Sequence, residues 1–135
     1  MSHAKNQAKA QVNSIVELIQ YLDWDWGGLA YDEIPEDCEY SCREEVEQAI
    51  QETPISVEVR SGWTSSFHSF EAEEFRIVLC TGGPHVEIQG DIGLHGEPRD
   101  VKVIYADWAE KGEYSLSVEE REAVTEFCEQ FYFGG

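Results

Sequence analysis

The sequence predicts an α+β domain in which a four-stranded antiparallel meander carries the N-terminal helices and a C-terminal helix on one face. Three observations support this prediction. Apolar residues recur at helical spacing near both ends of the chain, and between these ends they alternate with polar residues. The links between the alternating runs are short and contain glycine and proline, which favours antiparallel pairing over crossovers. Helices and strands that occupy separate stretches of the chain are typical of α+β domains.

Two helices are predicted before residue 54. From about Ala8 to Leu22 one apolar stripe repeats every three or four residues, through Val12, Ile15, Val16, Ile19 and Leu22. Further on, Ser41 is followed three residues later by Glu44, which is the pattern of a capping box at a helix start. The stripe of this second helix consists of Cys42, Val46, Ala49 and Ile50, and Pro54 ends it.

Four strands follow, because the apolar period changes to two. The alternating runs lie at 55–59, 75–79, 86–92 and 101–105. The segment TGGP connects the second run to the third and predicts a tight reversal with positive φ at Gly82 or Gly83. A strand follows these glycines where a phosphate-binding loop would need a helix, so reversal is the favoured interpretation. A last capping box at Ser117 and Glu120 then begins a helix with the stripe Val124, Phe127, Cys128 and Phe131.

The chain of 135 residues has the length of one domain, residues 1–135, and is 41% hydrophobic. We divide it into an acidic helical region (1–53), the antiparallel sheet (54–108) and the C-terminal helix (116–133). Its N-terminus lacks the apolar run of a signal peptide and no stretch reaches the length of a membrane span, so we expect a cytoplasmic protein. The four cysteines, Cys38, Cys42, Cys80 and Cys128, lack the spacing of a zinc knuckle, so we expect reduced thiols, no metal and no cofactor.

No catalytic constellation stands out in the sequence. His68, His85 and His95 lack the spacing that would place two imidazoles on one helix face. Ser66 is close to His68 in sequence only, and no G-x-S-x-G elbow is present. We therefore expect a protein that is not an enzyme and has no catalytic residues.

Charge is the most informative property of the chain. Nine Lys and Arg residues against 28 Asp and Glu residues give a net charge of −19, which disfavours direct contact with nucleic acid or an anionic membrane. Between Ala10 and Val59 there are thirteen acidic residues and one basic residue, Arg43. We therefore predict a partner-binding surface for a basic protein, made by Asp23, Trp24, Asp25, Trp26, Asp32, Glu33, Glu36, Asp37, Glu39, Glu44, Glu45 and Glu47.

Three interpretations of this acidic region compete. It is a highly solvated surface, or its carboxylates mimic the phosphates of DNA or RNA and occupy a Lys/Arg groove. Alternatively it is a general protein-binding module in which aromatic residues serve as anchors among the charges, namely Trp24, Trp26, Tyr31 and Tyr40. Tryptophan and tyrosine are also common in protein cores, so the sequence leaves open whether these rings are buried or form an interface.

Four segments resemble a pattern found in small, mostly uncharacterised acidic proteins encoded by bacteriophages and prophages. They are VEVRSGW (57–63), FRIVLCTGGPHVEIQGDI (75–92), GEP (96–98) and VIYADW (103–108), and they cover about half of the chain. The resemblance implies a protein of an infected bacterial host cell that acts against host defence, as anti-CRISPR and anti-restriction proteins do. We therefore expect an inhibitor that binds a host protein with a basic nucleic-acid-binding groove, such as a CRISPR effector subunit, by presenting a DNA-mimicking surface. The alternatives are a structural or accessory phage protein or a binding module without mimicry, and an enzyme comes third.

Overall fold

The computed structural model describes residues 3–24, 26, 40, 42–61, 63, 73–81, 83–108 and 110–131. They form an α+β domain with three helices and five strands in these ranges. The elements are α1 (His3–Leu22), α2 (Arg43–Glu52), β1 (Ser56–Arg60), β2 (Glu74–Cys80), β3 (His85–Ile92), β4 (Pro98–Asp107), β5 (Glu110–Tyr114) and α3 (Val118–Glu129). Among the helices in these ranges, none has an apolar stretch long enough to cross a membrane.

The sheet is an antiparallel meander in the order β1-β2-β3-β4-β5. The prediction of four strands was wrong, because β5 pairs with β4 from Val103 opposite Tyr114 to Asp107 opposite Glu110. The β5 sequence EKGEY lacks the apolar alternation that marks a strand. It is extended because β4 offers it a free edge of backbone donors and acceptors, and that edge is created only by the fold.

The link between β2 and β3 joins two antiparallel strands, so the chain reverses here as predicted. Gly83 does not have a positive φ, and a Cβ atom added to it would meet no heavy atom within 4 Å. Positive φ is therefore not found at Gly83, and the same prediction for Gly82 lies outside the described residues. The connection is four residues long, and the β2 strand is irregular between Val78 and Cys80, so a two-residue turn is not needed.

Helix α1 lies over the sheet and contacts both other helices, together with β3, β4 and β5. It begins at His3, before the predicted start at Ala8, because Ala4 and Ala8 extend the buried stripe towards the N-terminus. Each large apolar side chain that is fully buried contributes about 1.5–3 kcal/mol, so this stripe is a main source of stability. Its buried members are Ala4, Ala8, Val12, Ile15, Leu18, Ile19 and Leu22.

The other two helices start differently. Helix α3 has the predicted capping box, in which the Ser117 hydroxyl accepts from the Glu120 amide and the Glu120 carboxylate accepts from the Ser117 amide. Helix α2 begins after Cys42, whose side chain makes no capping hydrogen bond, and the predicted cap Ser41 lies outside the described residues. Both helices bury apolar residues in the same core as α1 and the inner face of the sheet, including Val46, Ile50, Val124, Phe127 and Cys128.

Candidate partner-binding site

Half of the predicted partner-binding residues lie where α1 ends and α2 begins. Asp23 and Trp24 follow the last residue of α1, and three glutamates project from α2. The Arg43 guanidinium joins the two helices, because its Nη1 donates to the carbonyl oxygen of Leu22 at 2.7 Å. We call this region the acidic corner, and its predicted residues with a described position are Asp23, Trp24, Trp26, Glu44, Glu45 and Glu47. Asp25, Asp32, Glu33, Glu36, Asp37 and Glu39 lie outside the described residues.

An aromatic cluster closes the end of α1. The Tyr21 ring packs edge to face against Trp24 and Tyr40, with ring centroids 4.9 and 5.4 Å apart, and Trp24 lies 5.3 Å from Trp26. The Trp26 indole donates from Nε1 to the Tyr21 carbonyl oxygen at 2.7 Å, which satisfies one of the orphan carbonyls at a helix end. Both tryptophans are half-buried. These indoles thus pack within their own chain and leave only part of their surface for a partner.

A carboxyl pair joins the acidic corner to α3. Glu126 forms a hydrogen bond with Asp23 and also faces Glu129. The pKa of Glu126 is raised to about 7, and partial burial is the largest cause. The hydrogen bond and charge of Asp23 and the charge of Glu129 act in the same direction, whereas the charge of Arg43 opposes the shift. The corner therefore exchanges a proton near neutral pH. Sequence reasoning missed Glu126, because only the packing of α1 against α3 brings it to Asp23.

The C-terminal ends of α1 and α3 are electrostatically unfavourable positions for carboxylates. The last turns of α1, α2 and α3 contain no basic residue, although a helix C-terminus favours cations by about 0.3–1 kcal/mol. Asp23 follows the end of α1, while Glu126 and Glu129 lie in the last turn of α3. Their negative charge therefore adds to the negative ends of two helix dipoles.

The cations of α1 are too distant to neutralise this charge. Lys5 and Lys9 are exposed near the start of the helix, and a rise of 1.5 Å per residue places Lys9 about 20 Å from Asp23. That separation exceeds the screening length of about 8 Å at physiological ionic strength. Arg43 is nearer to Asp23, but it forms an ion pair with Glu47, in which Arg43 Nε lies 3.0 Å from Glu47 Oε1. The corner is thus left with an excess of negative charge.

Glu44 and Glu45 lie where a carboxylate stabilises a helix. Both are exposed in the first turn of α2, where the positive end of the helix dipole favours negative charge. Their presence is explained by helix stability alone. Asp23 of the corner, together with Glu126 and Glu129 of α3 beside it, is therefore more informative.

The outer face of the sheet contains a second polar cluster, in which the charges are paired. Buried Glu87 accepts from His85 Nε2 at 2.8 Å and from Gln89 Nε2 at 2.9 Å, and its Oε2 lies 3.8 Å from Arg76 Nε. Arg76 also hydrogen-bonds Glu58, and this bond holds the pKa of the Glu58 carboxyl below its usual value. A cavity of about 160 Å³ lies beside this cluster. Because its charged groups satisfy one another, we interpret the cluster as structural.

The described ranges contain no cluster suited to a metal ion, and burial governs the reactivity of two of the described thiols. Within the described ranges, no three His, Cys, Asp or Glu side chains are grouped so as to hold a metal ion. Cys128 is fully buried, and burial raises the pKa of its thiol well above the usual range. Burial also raises the pKa of the half-buried Cys80 thiol. These two thiols are therefore poor nucleophiles at neutral pH.

Comparisons of the chain with protein-family models, with curated proteins and with solved structures give no match.

Proposed function

We propose that this protein is a phage-type inhibitor that is not an enzyme and that binds the basic groove of a host nucleic-acid-handling defence complex. The target class is a CRISPR effector or a restriction enzyme. The acidic corner, extended by Glu126 and Glu129, makes the contact by taking the place of DNA or RNA phosphates. This proposal includes the phage origin implied by the sequence resemblance.

The observation that carries the proposal is the excess of negative charge where α1 and α3 end, which Arg43 offsets only in part. A surface selected only for solvation gains nothing from carboxylates that face each other at negative helix ends, because charges elsewhere on the surface solvate equally well. A cationic groove, in contrast, would pair with Asp23 and Glu129 and favour the ionised form of Glu126. Binding would then recover the free energy that the free protein loses to repulsion.

The packing of the indoles favours mimicry over a module with aromatic anchors. A hot-spot anchor inserts a large part of its side chain into a pocket of the partner. Both indoles are half-buried: Trp24 packs against Tyr21 and Trp26, and Trp26 uses its indole N–H within the chain. Charge therefore offers more to a partner here than apolar area does.

The experiment measures how the protein inhibits DNA binding by a panel of purified CRISPR effector complexes and restriction endonucleases. The test variant combines Asp23→Asn with Glu129→Gln. Its matched control combines Glu110→Gln with Glu113→Gln on β5, where both carboxylates are exposed and the same charge is removed. We expect the corner variant to bind its target about tenfold more weakly, which corresponds to about 1.4 kcal/mol, while the control binds normally.

A salt series distinguishes the competing interpretations. Mimicry predicts that affinity falls steeply as salt rises and that the protein competes with DNA for one groove. A solvated surface predicts no target in the panel and no competition. An anchor-driven module predicts that Trp24→Ala weakens binding more than the two neutralisations do, with little dependence on salt. Full binding by the corner variant across a flat salt series would rule out mimicry.

A further inference from the structure

Among the described residues β1 is an outermost strand of the sheet, and an apolar row from Ile55 to Val59 is exposed along its edge. Ile55 is 60% exposed, Val57 39% and Val59 49%, although alternation would normally place such residues in a core. The helices pack over β3, β4 and β5, which explains this exposure. Natural sheets usually protect their edges with charges, and β5 at the opposite edge does so with Glu110, Lys111 and Glu113.

The β1 edge is also a place where charge is locally balanced. Arg60 Nη2 lies 2.9 Å from Glu74 Oε2, and Arg76 hydrogen-bonds Glu58, so each cation next to the edge has an acidic partner. The whole chain has a net charge of −19, which opposes contact between two copies. These pairs reduce the local repulsion where this edge approaches another copy.

We propose that β1 is a self-association edge, at which two copies pair antiparallel around a twofold axis at Val59. In this register Glu58 of each copy lies opposite Arg60 of the other, and the two Val59 side chains meet. A twofold axis forms every such contact twice, as expected for an isologous interface. The two sheets join into one sheet of ten strands, and the exposed backbone groups of β1 find partners.

The same register uses the remaining apolar side chains. Directly opposite residues in an antiparallel pair share a face, so Val57 lies opposite Ser61 of the second copy. Trp63, whose side chain is fully exposed in the single chain, lies beyond this paired stretch. The apolar row of one copy thus continues into that of the other.

Neighbouring registers are less favourable. An axis at Glu58 would place the two Glu58 carboxylates directly opposite each other, and such like charges are destabilising. An axis at Val57 would place Glu58 opposite Ser56 and Arg60 opposite Pro54, so both charge pairs would be lost. Sequence alternation therefore selects Val59 as the centre.

The first test is the oligomeric state, measured by sedimentation over a range of protein and salt concentrations. A short strand pair buries little area, so we expect a weak dimer with a Kd between about 1 µM and 1 mM. Val59→Lys should weaken dimerisation at least tenfold, whereas Leu94→Lys, at an equally apolar and more exposed position, should leave it unchanged. Added salt should strengthen the dimer by screening the net repulsion, which is opposite to the salt effect proposed for target binding.

The second test fixes the register by oxidation of introduced cysteines. Val59→Cys should give a disulfide-linked dimer, because directly opposite Cβ atoms lie about 4.5–5.5 Å apart and a small shift brings them to the about 3.5–4.5 Å of a disulfide. Val57→Cys should not, because the two introduced thiols would be offset by four residues, or about 13 Å. Wild-type protein oxidised in parallel controls for the native cysteines.

Three outcomes would overturn the proposal. The first is a chain that stays monomeric at about 1 mM in high salt. The proposal fails in that case even if Val59→Lys impairs the binding of a different protein to this edge. The second is a dimer that Val59→Lys leaves intact, since another surface would then hold it. The third is faster cross-linking through Val57→Cys than through Val59→Cys, which would exclude the axis at Val59.

Discussion

Replacing Glu126 by glutamine should stabilise the protein at alkaline pH and change little in acid. The pKa of this carboxyl is raised from its usual 4.5 to about 7, mainly by burial and by Asp23. Between these two values the folded state holds a proton that the unfolded state has released. The stability of the wild type should therefore decrease as pH rises from about 5 to about 7, and this loss should be complete above about 8.

The magnitude follows from the shift, with an allowance for solvent. One pKa unit corresponds to about 1.4 kcal/mol, so the full shift corresponds to about 3 kcal/mol. Because the Glu126 side chain is only partly buried, water and ions screen its repulsion from Asp23 and Glu129, and we expect about 1 kcal/mol. Glutamine keeps a donor for the Asp23 carboxylate without the charge, so this loss should be absent in Glu126→Gln.

Urea denaturation at pH 5, 6, 7 and 8 measures the effect as a change in the free energy of unfolding. The matched control is Glu122→Gln, which removes one exposed carboxylate from the same helix. It accounts for the general repulsion in a chain of net charge −19. Parallel pH curves for the wild type and Glu126→Gln would refute the reasoning, as would equal stabilisation by Glu122→Gln at pH 8.

Two further predictions concern the fold and are measured by thermal denaturation. Gly90→Ala should destabilise the sheet by about 1–3 kcal/mol, because the new Cβ would lie 2.6 Å from the Phe75 ring and 2.9 Å from the Arg99 carbonyl oxygen. Gly83→Ala, which meets no atom within 4 Å, is its control, and equal melting of the two variants would contradict the packing argument. Ser117→Ala should cost about 1 kcal/mol by removing the cap of α3, and an unchanged melting temperature would show that the capping box contributes nothing.

Local pattern was sufficient for most elements of the fold. The stripe of α1 and the alternation in β2, β3 and β4 are properties of neighbouring residues, since period and polarity alone decide which face of a helix or strand can be buried. The capping box at Ser117 is local in the same way, because both of its hydrogen bonds lie within four residues. The sequence alone was therefore enough to predict the α+β class, the meander and the start of α3.

Tertiary contacts decided the rest. Strand β5 has no strand pattern of its own and is extended because it pairs with β4, and β1 has the pattern of a half-buried strand but lies beyond the cover of the helices. The approach of Glu126 to Asp23 depends on how α1 crosses α3, which no spacing along the chain encodes. Burial and charge repulsion depend on distances in space between residues far apart in sequence, so only the folded structure could show the pair of Glu126 with Asp23 and the exposed edge.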